Sequence, residues 1–378
     1  MSKRLCRLSW CVFALMMTLA AIAGAQDQKE PEPAPKVMRF VERALTWYPG
    51  SVFELVSNDK FQTPSGSYRI IEVARTCASR LLTGTTTLMV DEIAKTVWIG
   101  SILELPPVQE AGAGQDALRN FLSSFLPEAL KASGGLRVVE LDWDLGPRRP
   151  GTLIPLDLIV ESGYGSYRRG AAITVDGTYL VMASGMPLDE DPVAYRRRIL
   201  AGSDVVMWDT AGAGNESVEI VEFSDLECPA CRGKWPIINM VVQKNSGEIR
   251  HGMVSYPLQY HPWAFRAASA SWCVADQDAQ VLISFKETFY ALQREMEVSL
   301  VTPTAVDFIA GHGLDESVFR QCYLRPPSID AVHRQMGLAY EMGVNSTPTY
   351  FVNGWRIQVP EGSWFPGFVE RLMNGEEP

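Results

Sequence analysis

Residues 218–244 read VEIVEFSDLECPACRGKWPIINMVVQK. An apolar run suited to a buried strand leads into two cysteines with Pro229 and Ala230 between them, and a helical pattern follows. Strand, short turn and helix leave the chain few alternatives at this point. Cys228 falls at the helix N-terminus, where free backbone N–H groups and the positive end of the helix dipole favour a thiolate and lower the thiol pKa. Pro229 suits the first helical turn, where a missing N–H costs nothing. Cys231, one turn in, is placed to resolve a mixed disulfide and is expected to be the more buried. Pro236, with no N–H to donate, is expected to kink the helix.

Three uses of such a pair can be weighed. A zinc ion wants four ligands, but Cys273 and Cys322 stand alone and the four histidines, His251, His261, His312 and His333, are scattered. A purely structural bridge would close a very short loop and constrain little of the unfolded chain. Thiol-disulfide exchange is the use that both flanks support, and it calls for no metal and no organic cofactor.

The N-terminus sets the redox setting. Lys3, Arg4 and Arg7 precede the apolar run CVFALMMTLAAIA, and Ala23-Gly24-Ala25 has the small-x-small form of a cleavage site. Residues 1–25 are therefore expected to be a signal peptide cut between Ala25 and Gln26, which places the mature chain in the periplasm or otherwise outside the cytoplasm. Of seven cysteines, Cys6 and Cys11 leave with the leader, and Cys77, Cys228, Cys231, Cys273 and Cys322 meet an oxidising environment. Lys plus Arg number 34 against 44 for Asp plus Glu, a net charge of −10, and no basic tract stands out. Nucleic acid is thus not an expected partner.

A length of 378 residues implies more than one domain. Residues 26–35 form a Pro- and charge-rich spacer. A second break, DTAGAGNES at 209–217, crowds small residues together and is expected to link regions 36–208 and 218–378 with few contacts to lose. Region 36–208 reads as a tandem α+β pair. FVERALTWYPGSVFELV and FLSSFLPEALKASGGLRVVELDW share one plan; RIIEVART lines up with PLDLIVES, Val90-Asp91 with Val175-Asp176, and Gly100 with Gly185. Each unit reads as one helix followed by about three antiparallel strands. This region has no histidine, and its Cys77 is either an inert buried thiol or a bond to a second copy of the chain.

The C-terminal motifs resemble the thioredoxin superfamily and, within it, the DsbA-like periplasmic thiol-disulfide oxidoreductases. EIVEFSDLECPACRGKWP is similar to that family's strand, acid, CPxC and proline-containing helix. SYPLQYHPWAFRAASASWCVADQ and GLDESVFRQCYL look like its helical insertion, and GVNSTPTYFVNG like its cis-proline loop and following strand. The resemblance implies an α/β thioredoxin fold with a helical insertion over 218–378. It implies Cys228 as nucleophile, Cys231 as resolving thiol, and Pro348 after a cis peptide bond, with Thr347 offering backbone hydrogen bonds to an extended client. Glu222 matches an acid that the family often buries beneath the pair, able to take or give the Cys231 proton; the alternative is an exposed strand carboxylate. Glu227 is expected to face solvent. Cys273 and Cys322, in two insertion helices, are either joined or two separate thiols. VDGTYLVMASGMPLDEDP resembles the end of the N-terminal dimerisation domain of periplasmic disulfide isomerases, which implies a homodimer through the N-terminal region. The partners implied are secreted proteins with thiols or disulfides and a redox partner that resets the pair. Oxidase, isomerase or reductase, and partner-binding adaptor all remain open as roles.

Overall fold

The computed structural model describes residues 35–63, 66–77, 84–106, 120–127, 137–142, 153–208, 218–357 and 361–378. The expected leader with its cleavage site, the expected spacer up to residue 34 and the expected linker 209–217 lie outside these residues. Pro35, assigned above to the spacer, opens helix α1 (Pro35–Ala44), a position where its missing N–H is harmless.

After α1 come β1 (Val52–Thr63), β2 (Gly66–Thr76), β3 (Gly84–Asp91), β4 (Thr96–Ile99) and β5 (Ser101–Glu104). The second unit repeats the order: a helix over 120–127 (α2), then β6 (Arg137–Asp142), β7 (Leu153–Ser162), β8 (Gly165–Thr174), β9 (Tyr179–Met182) and β10 (Gly185–Pro187). Val37, Phe40, Val41 and Ala44 fall at helical spacing on α1 and bury against Ile71, Leu88 and Val97 of the first sheet. Leu122 and Leu126 of α2 do the same against Leu156, Leu158 and Leu180.

Each sheet has five antiparallel strands, but one of the five is borrowed. The orders are β1-β2-β3-β4-β10 and β6-β7-β8-β9-β5, so each unit gives its last strand to the other. The plan of one helix and about three strands is thereby corrected: among the described residues every unit has four strands of its own and a fifth exchanged. The matched glycines stand where the chain changes sheet. A Cβ on Gly100 would lie 2.6 Å from the Cβ of Ala183, and one on Gly185 would lie 2.4 Å from Thr96 Cγ2, so no larger residue fits at either crossing. The matched aspartates make matching turns. Asp91 Oδ1 accepts from the N–H groups of Ile93 and Ala94 at 3.0 and 2.9 Å, and Asp176 Oδ1 accepts from the Thr178 N–H at 3.0 Å.

Helix α3 (Pro192–Gly202), capped by the Asp191 carboxylate, leads to β11 (Met207–Trp208). The third sheet has the order β11-β13-β12-β14-β15, with β12 at Val218–Ser224, β13 at Ile249–Ser255, β14 at Thr349–Val352 and β15 at Trp355–Ile357. Strands β12 and β13 run parallel across helix α4 (Pro229–Lys244), β14 pairs antiparallel with β12, and β15 pairs antiparallel with β14. Asn353 and Gly354, both at positive φ, make the two-residue turn between β14 and β15. Five helices are inserted between β13 and β14: α5 (Ala264–Ala275), α6 (Leu282–Leu292), α7 (Val301–Gly311), α8 (Glu316–Cys322) and α9 (Pro326–Glu341). Helix α10 (Phe365–Met373) follows β15. Cys273 on α5 is joined to Cys322 on α8, with Cα atoms 5.8 Å apart. The loop so closed has a sequence separation of 49, for which chain-entropy reasoning gives a stabilisation of about 4 kcal/mol.

The regions meet over a shared core rather than a bare hinge. Val332, Met336 and Ala339 of α9 bury against Leu158, Tyr167 and Ala171 of the second sheet, in one cluster with Phe223 and Phe351 of the third. Trp47 donates its N–H to the Arg356 carbonyl at 2.7 Å and bridges Ile357, which covers the free edge of β15. Met207 and Trp208, placed by the sequence on the N-terminal side of the linker, pair with Met253 and Gly252 and belong to the third sheet. Local small-residue composition carries no information about these distant contacts.

Candidate active site

Strand β12 ends at Ser224, a short turn follows, and Cys228 takes the N-cap position of α4 with Pro229 next. The turn is fixed by Asp225. Its Oδ1 accepts from the Glu227 N–H at 2.8 Å, its Oδ2 accepts from the Leu258 N–H at 2.9 Å, and its carbonyl accepts from the Cys228 N–H at 3.0 Å. Gln293 on the far side donates to the carbonyls of Leu226 and Cys228 at 2.7 and 3.1 Å. The helix runs on through Pro236 to Lys244 as one element.

Both thiols are buried, Cys228 at 6% exposure and Cys231 at 1%. Their acidities diverge. The Cys231 thiol, Thr347, and the N–H groups of Cys231 and Ala230 outweigh burial and hold the Cys228 thiol down to about 5. Burial first, then the Cys228 side chain and charge, push Cys231 well above the ordinary thiol value, against the smaller help of Asp225 and the Ser224 hydroxyl. One thiol is thus primed as thiolate and its neighbour keeps its proton.

The bond Thr347–Pro348 is cis. The Cys228 thiol donates to the Thr347 carbonyl at 3.5 Å, which places the cis-proline loop directly against the nucleophile. The Thr347 hydroxyl is buried with no hydrogen-bond partner among the described residues, and is free to donate to a thiolate once Cys228 loses its proton.

Residues 207–363 match a family model described as thioredoxin. The C-terminal region is thioredoxin-like. The N-terminal sheets lie outside that match. Chains similar to this one include alpha-DsbA1 of Wolbachia pipientis, at 17% identity, covering 48% of this chain and 96% of that one with a TM-score of 0.41. Proteus mirabilis ScsC shows 13% identity over 49% of this chain and 80% of its own, at 0.40. A thioredoxin-like oxidoreductase from Silicibacter pomeroyi shows 20% over 47% and 98%, at 0.39. The curated relatives include two chains named Na(+)/H(+) antiporter NhaA 1, from Mycobacterium sp. strains KMS and JLS. Each is 32% identical over 145 residues, which is 37% of this chain and only 22% of the antiporter. The chain therefore spans about a fifth of the length of the curated relatives it matches.

Beneath the pair, the thioredoxin-like region buries a charged cluster that the sequence only partly showed. Glu222, at 1% exposure, is paired with Lys286 of α6, itself at 2%. His251 Nε2 lies 3.9 Å from the same carboxylate. Burial raises the Glu222 pKa, but Lys286 and His251 overcome it and hold the carboxyl at about 2. The exposed-carboxylate alternative is excluded. The Lys286 ammonium also sits 3.5 Å from the centre of the Trp235 ring, on α4. The Ser224 hydroxyl, which slightly lowers the Cys231 pKa, lies 3.0 Å from the Tyr290 hydroxyl.

Glu227 departs from its expected solvent exposure. It is half-buried and accepts the Trp263 N–H at 2.7 Å, and burial raises its pKa. Cys77 is half-buried, not buried. His261 was read only as one of four scattered histidines; its Nδ1 lies 2.6 Å from Asp225, which raises its pKa against the opposing effect of burial. Lys286 had one usable signal, a lone cation inside the apolar run LISFKETFYAL. Gln293 had none.

Proposed function

We infer that the thioredoxin-like region serves thiol-disulfide oxidoreductase activity in general. We propose that the chain is an exported oxidoreductase that exchanges disulfides with secreted protein clients through the Cys228-Pro229-Ala230-Cys231 centre. The observation that carries this reading is the placement of the pair: Cys228 at the N-terminus of α4 with its thiol 3.5 Å from the Thr347 carbonyl, and Cys231 buried one turn in.

In the reductive direction the Cys228 thiolate attacks one sulfur of a client disulfide. A bond forms between Cys228 and that sulfur, and the old bond's electron pair leaves on the client's other sulfur. Cys231 then loses its proton and attacks Cys228, closing the Cys228–Cys231 bond and releasing the second client thiolate. The client gains two electrons and the pair loses two. The oxidative direction is the reverse, and it is the one favoured here. A thiolate stabilised in the dithiol form makes the disulfide form the stronger oxidant. Pro348 and Thr347 shape the surface on which an extended client lies. Glu222, held ionised, sets the charge beneath the pair rather than storing a proton. A separate redox partner restores the Cys228–Cys231 disulfide.

A second role, isomerisation from the dithiol form, is favoured by another observation. Thr85–Thr87 of the first sheet and Pro348 border one cavity, so the N-terminal sheets can hold a client at the cis-proline loop. Pairing of two copies would use β1, an edge strand whose Val52 and Val56 are exposed; sedimentation of the full chain and of Val56→Lys tests it, and identical monomeric behaviour at high concentration rejects it. The reduction potential of Cys228–Cys231, measured against glutathione buffers, separates the two redox directions. A value less negative than about −200 mV is expected for the oxidase; one near −270 mV would sink that direction.

A further inference from the structure

Two acids crowd the turn that carries the candidate nucleophile. Asp225 stands three residues before Cys228 and Glu227 directly before it, and the Asp225 carbonyl accepts the Cys228 N–H at 3.0 Å. Asp225 is 2% exposed, and no lysine or arginine pairs with it among the described residues. A buried carboxylate beside a thiolate opposes that thiolate unless a cation balances it. The group that meets Asp225 is His261, from the loop between β13 and α5, whose Nδ1 lies 2.6 Å from Asp225 Oδ2.

The loop does not need this contact to hold its place. Its Tyr256 N–H donates to the Ser224 carbonyl at 2.8 Å, its Leu258 N–H to Asp225 Oδ2 at 2.9 Å, and its His261 N–H to the Leu258 carbonyl at 2.9 Å. Asp225 Oδ1 is taken by the Glu227 N–H. The imidazole therefore adds a titratable proton to a turn that backbone bonds already fix. Its Nδ1 is held by Asp225 and the side chain is 14% exposed, so Nε2 is the nitrogen left to exchange a proton with solvent.

The charged and titratable groups around His261 come from four places. Asp225, Glu227 and Cys228 stand on the turn and at the start of α4, and Tyr260 on its own loop. Glu161 and Tyr164 of the β7–β8 hairpin face it across a cavity of about 530 Å³, to which α9 contributes the uncharged Met336. Arg266 of α5 borders Glu227 beyond Pro262. The hydrogen bond to Asp225 first, then the charges of Asp225, Glu227 and Cys228, raise the imidazole pKa against burial.

We propose that His261, seated on Asp225, is a positioning residue for the exchange reaction: it balances the charge of the reduced pair and carries a proton that reduction brings with it. This role rests on the thiol-exchange reading above. When a client dithiol reduces the pair, its two electrons pass to the Cys228–Cys231 bond, which breaks as a disulfide forms in the client. The client releases two protons. Cys231 keeps one, Cys228 remains a thiolate, and His261 takes the other. When a client disulfide reoxidises the pair, both protons go back to the client's sulfurs. The imidazole must then hold its proton more tightly in the reduced chain than in the oxidised one, and by linkage the imidazolium favours the thiolate by the same factor.

The test follows the His261 imidazole of the full chain by NMR through a pH titration, once as the dithiol and once as the disulfide made with diamide. His261→Gln identifies the signal. The midpoint is expected to be higher in the reduced chain by about half a pH unit or more. The reciprocal measurement is the alkylation midpoint of Cys228. His261→Gln should raise it by a similar amount, and His261→Lys, which keeps the charge but does not titrate near neutrality, should restore it; circular dichroism checks both folds. Equal His261 midpoints in the two redox forms of the wild-type chain would overturn the proposal. So would a Cys228 midpoint that His261→Gln leaves in place, or a His261→Lys chain that behaves like His261→Gln, since the residue would then act by shape and not by charge. If the disulfide forms with diamide but no peptide disulfide and no neutral disulfide dye reacts with the dithiol, the exchange reading fails, while the two NMR midpoints still decide whether the imidazole answers to the pair.

Discussion

The N-terminal and C-terminal halves of this molecule are built at different ranges. In the thioredoxin-like region the reactive pair, its helix and its strand lie within residues 218–244, and one loop, Ser346–Thr349, completes the site. In the N-terminal half no strand order can be read from a single stretch, because β5 completes the second sheet and β10 the first. Chemistry needs a few groups at set distances and fixes them by a short motif. A sheet needs only compatible edges, and two copies of one plan can satisfy each other's. The first half therefore tolerates exchange between units, while the second depends on single side chains.

The largest test of that contrast is at the pair itself. Cys228→Ala is expected to abolish exchange on every substrate, since the attacking thiolate is gone. Cys231→Ala is expected to accumulate covalent client complexes that a reducing agent dissolves. Both variants should leave the circular dichroism of the N-terminal sheets unchanged. Equal trapping by the two variants would reverse or remove the assigned roles.

Next in size is the buried charge beneath the pair. Lys286→Met strips Glu222 of its close counter-ion at 1% exposure, and a loss of about 3–5 kcal/mol of stability is expected. The double change Glu222→Gln with Lys286→Met should recover much of it, because no uncompensated charge remains. Denaturant unfolding of the single and double variants measures both. A single variant as stable as wild type would show that water or another group already screens Glu222.

How much of this was legible follows the same divide. The strand, the helix N-terminus and the greater burial of Cys231 could be argued from CPAC and its flanks, since each rests on local backbone chemistry. The partner of Glu222 could not, because Lys286 lies 64 positions away and one lone cation in an apolar run does not name its acid. The Gly100 and Gly185 match showed a repeat, but the reason for both glycines is a contact with the other unit, which no periodicity within a unit encodes. The break expected at 209–217 rests on composition alone, whereas the packing of α9 on the second sheet depends on helix positions 332, 336 and 339 finding a sheet more than a hundred residues earlier.

A smaller effect is expected at the crossing. Gly185→Val would set side-chain atoms against Thr96 and Trp98, where a bare Cβ already comes within 2.4 Å. Overpacking of this kind costs about 1–3 kcal/mol, read as a lower unfolding midpoint for the N-terminal sheets. The alkylation profile of Cys228 should not move, because the crossing touches no group of the pair. A shifted profile would mean the two halves are coupled more tightly than the comparison allows.

The smallest expected effect is the most diagnostic for the site. In the reduced chain Cys228 carries its thiolate above about 5, so its alkylation rate should climb as pH rises through that value and then level off. The sign for stability follows. A depressed thiol pKa adds stability that is present above the ordinary thiol value of 9.0 and is lost as pH falls through about 5. The advantage of the reduced over the oxidised chain should therefore shrink across that window on acidification. Thr347→Val removes a hydroxyl that has no hydrogen-bond partner among the described residues and keeps the carbonyl that accepts the Cys228 thiol. If the hydroxyl donates to the thiolate, the alkylation midpoint should rise, by less than about one pH unit. If the midpoint stays put or falls, the thiolate is held by the N-terminus of α4 and Cys231 alone, and the cis-proline loop contributes shape but no charge stabilisation.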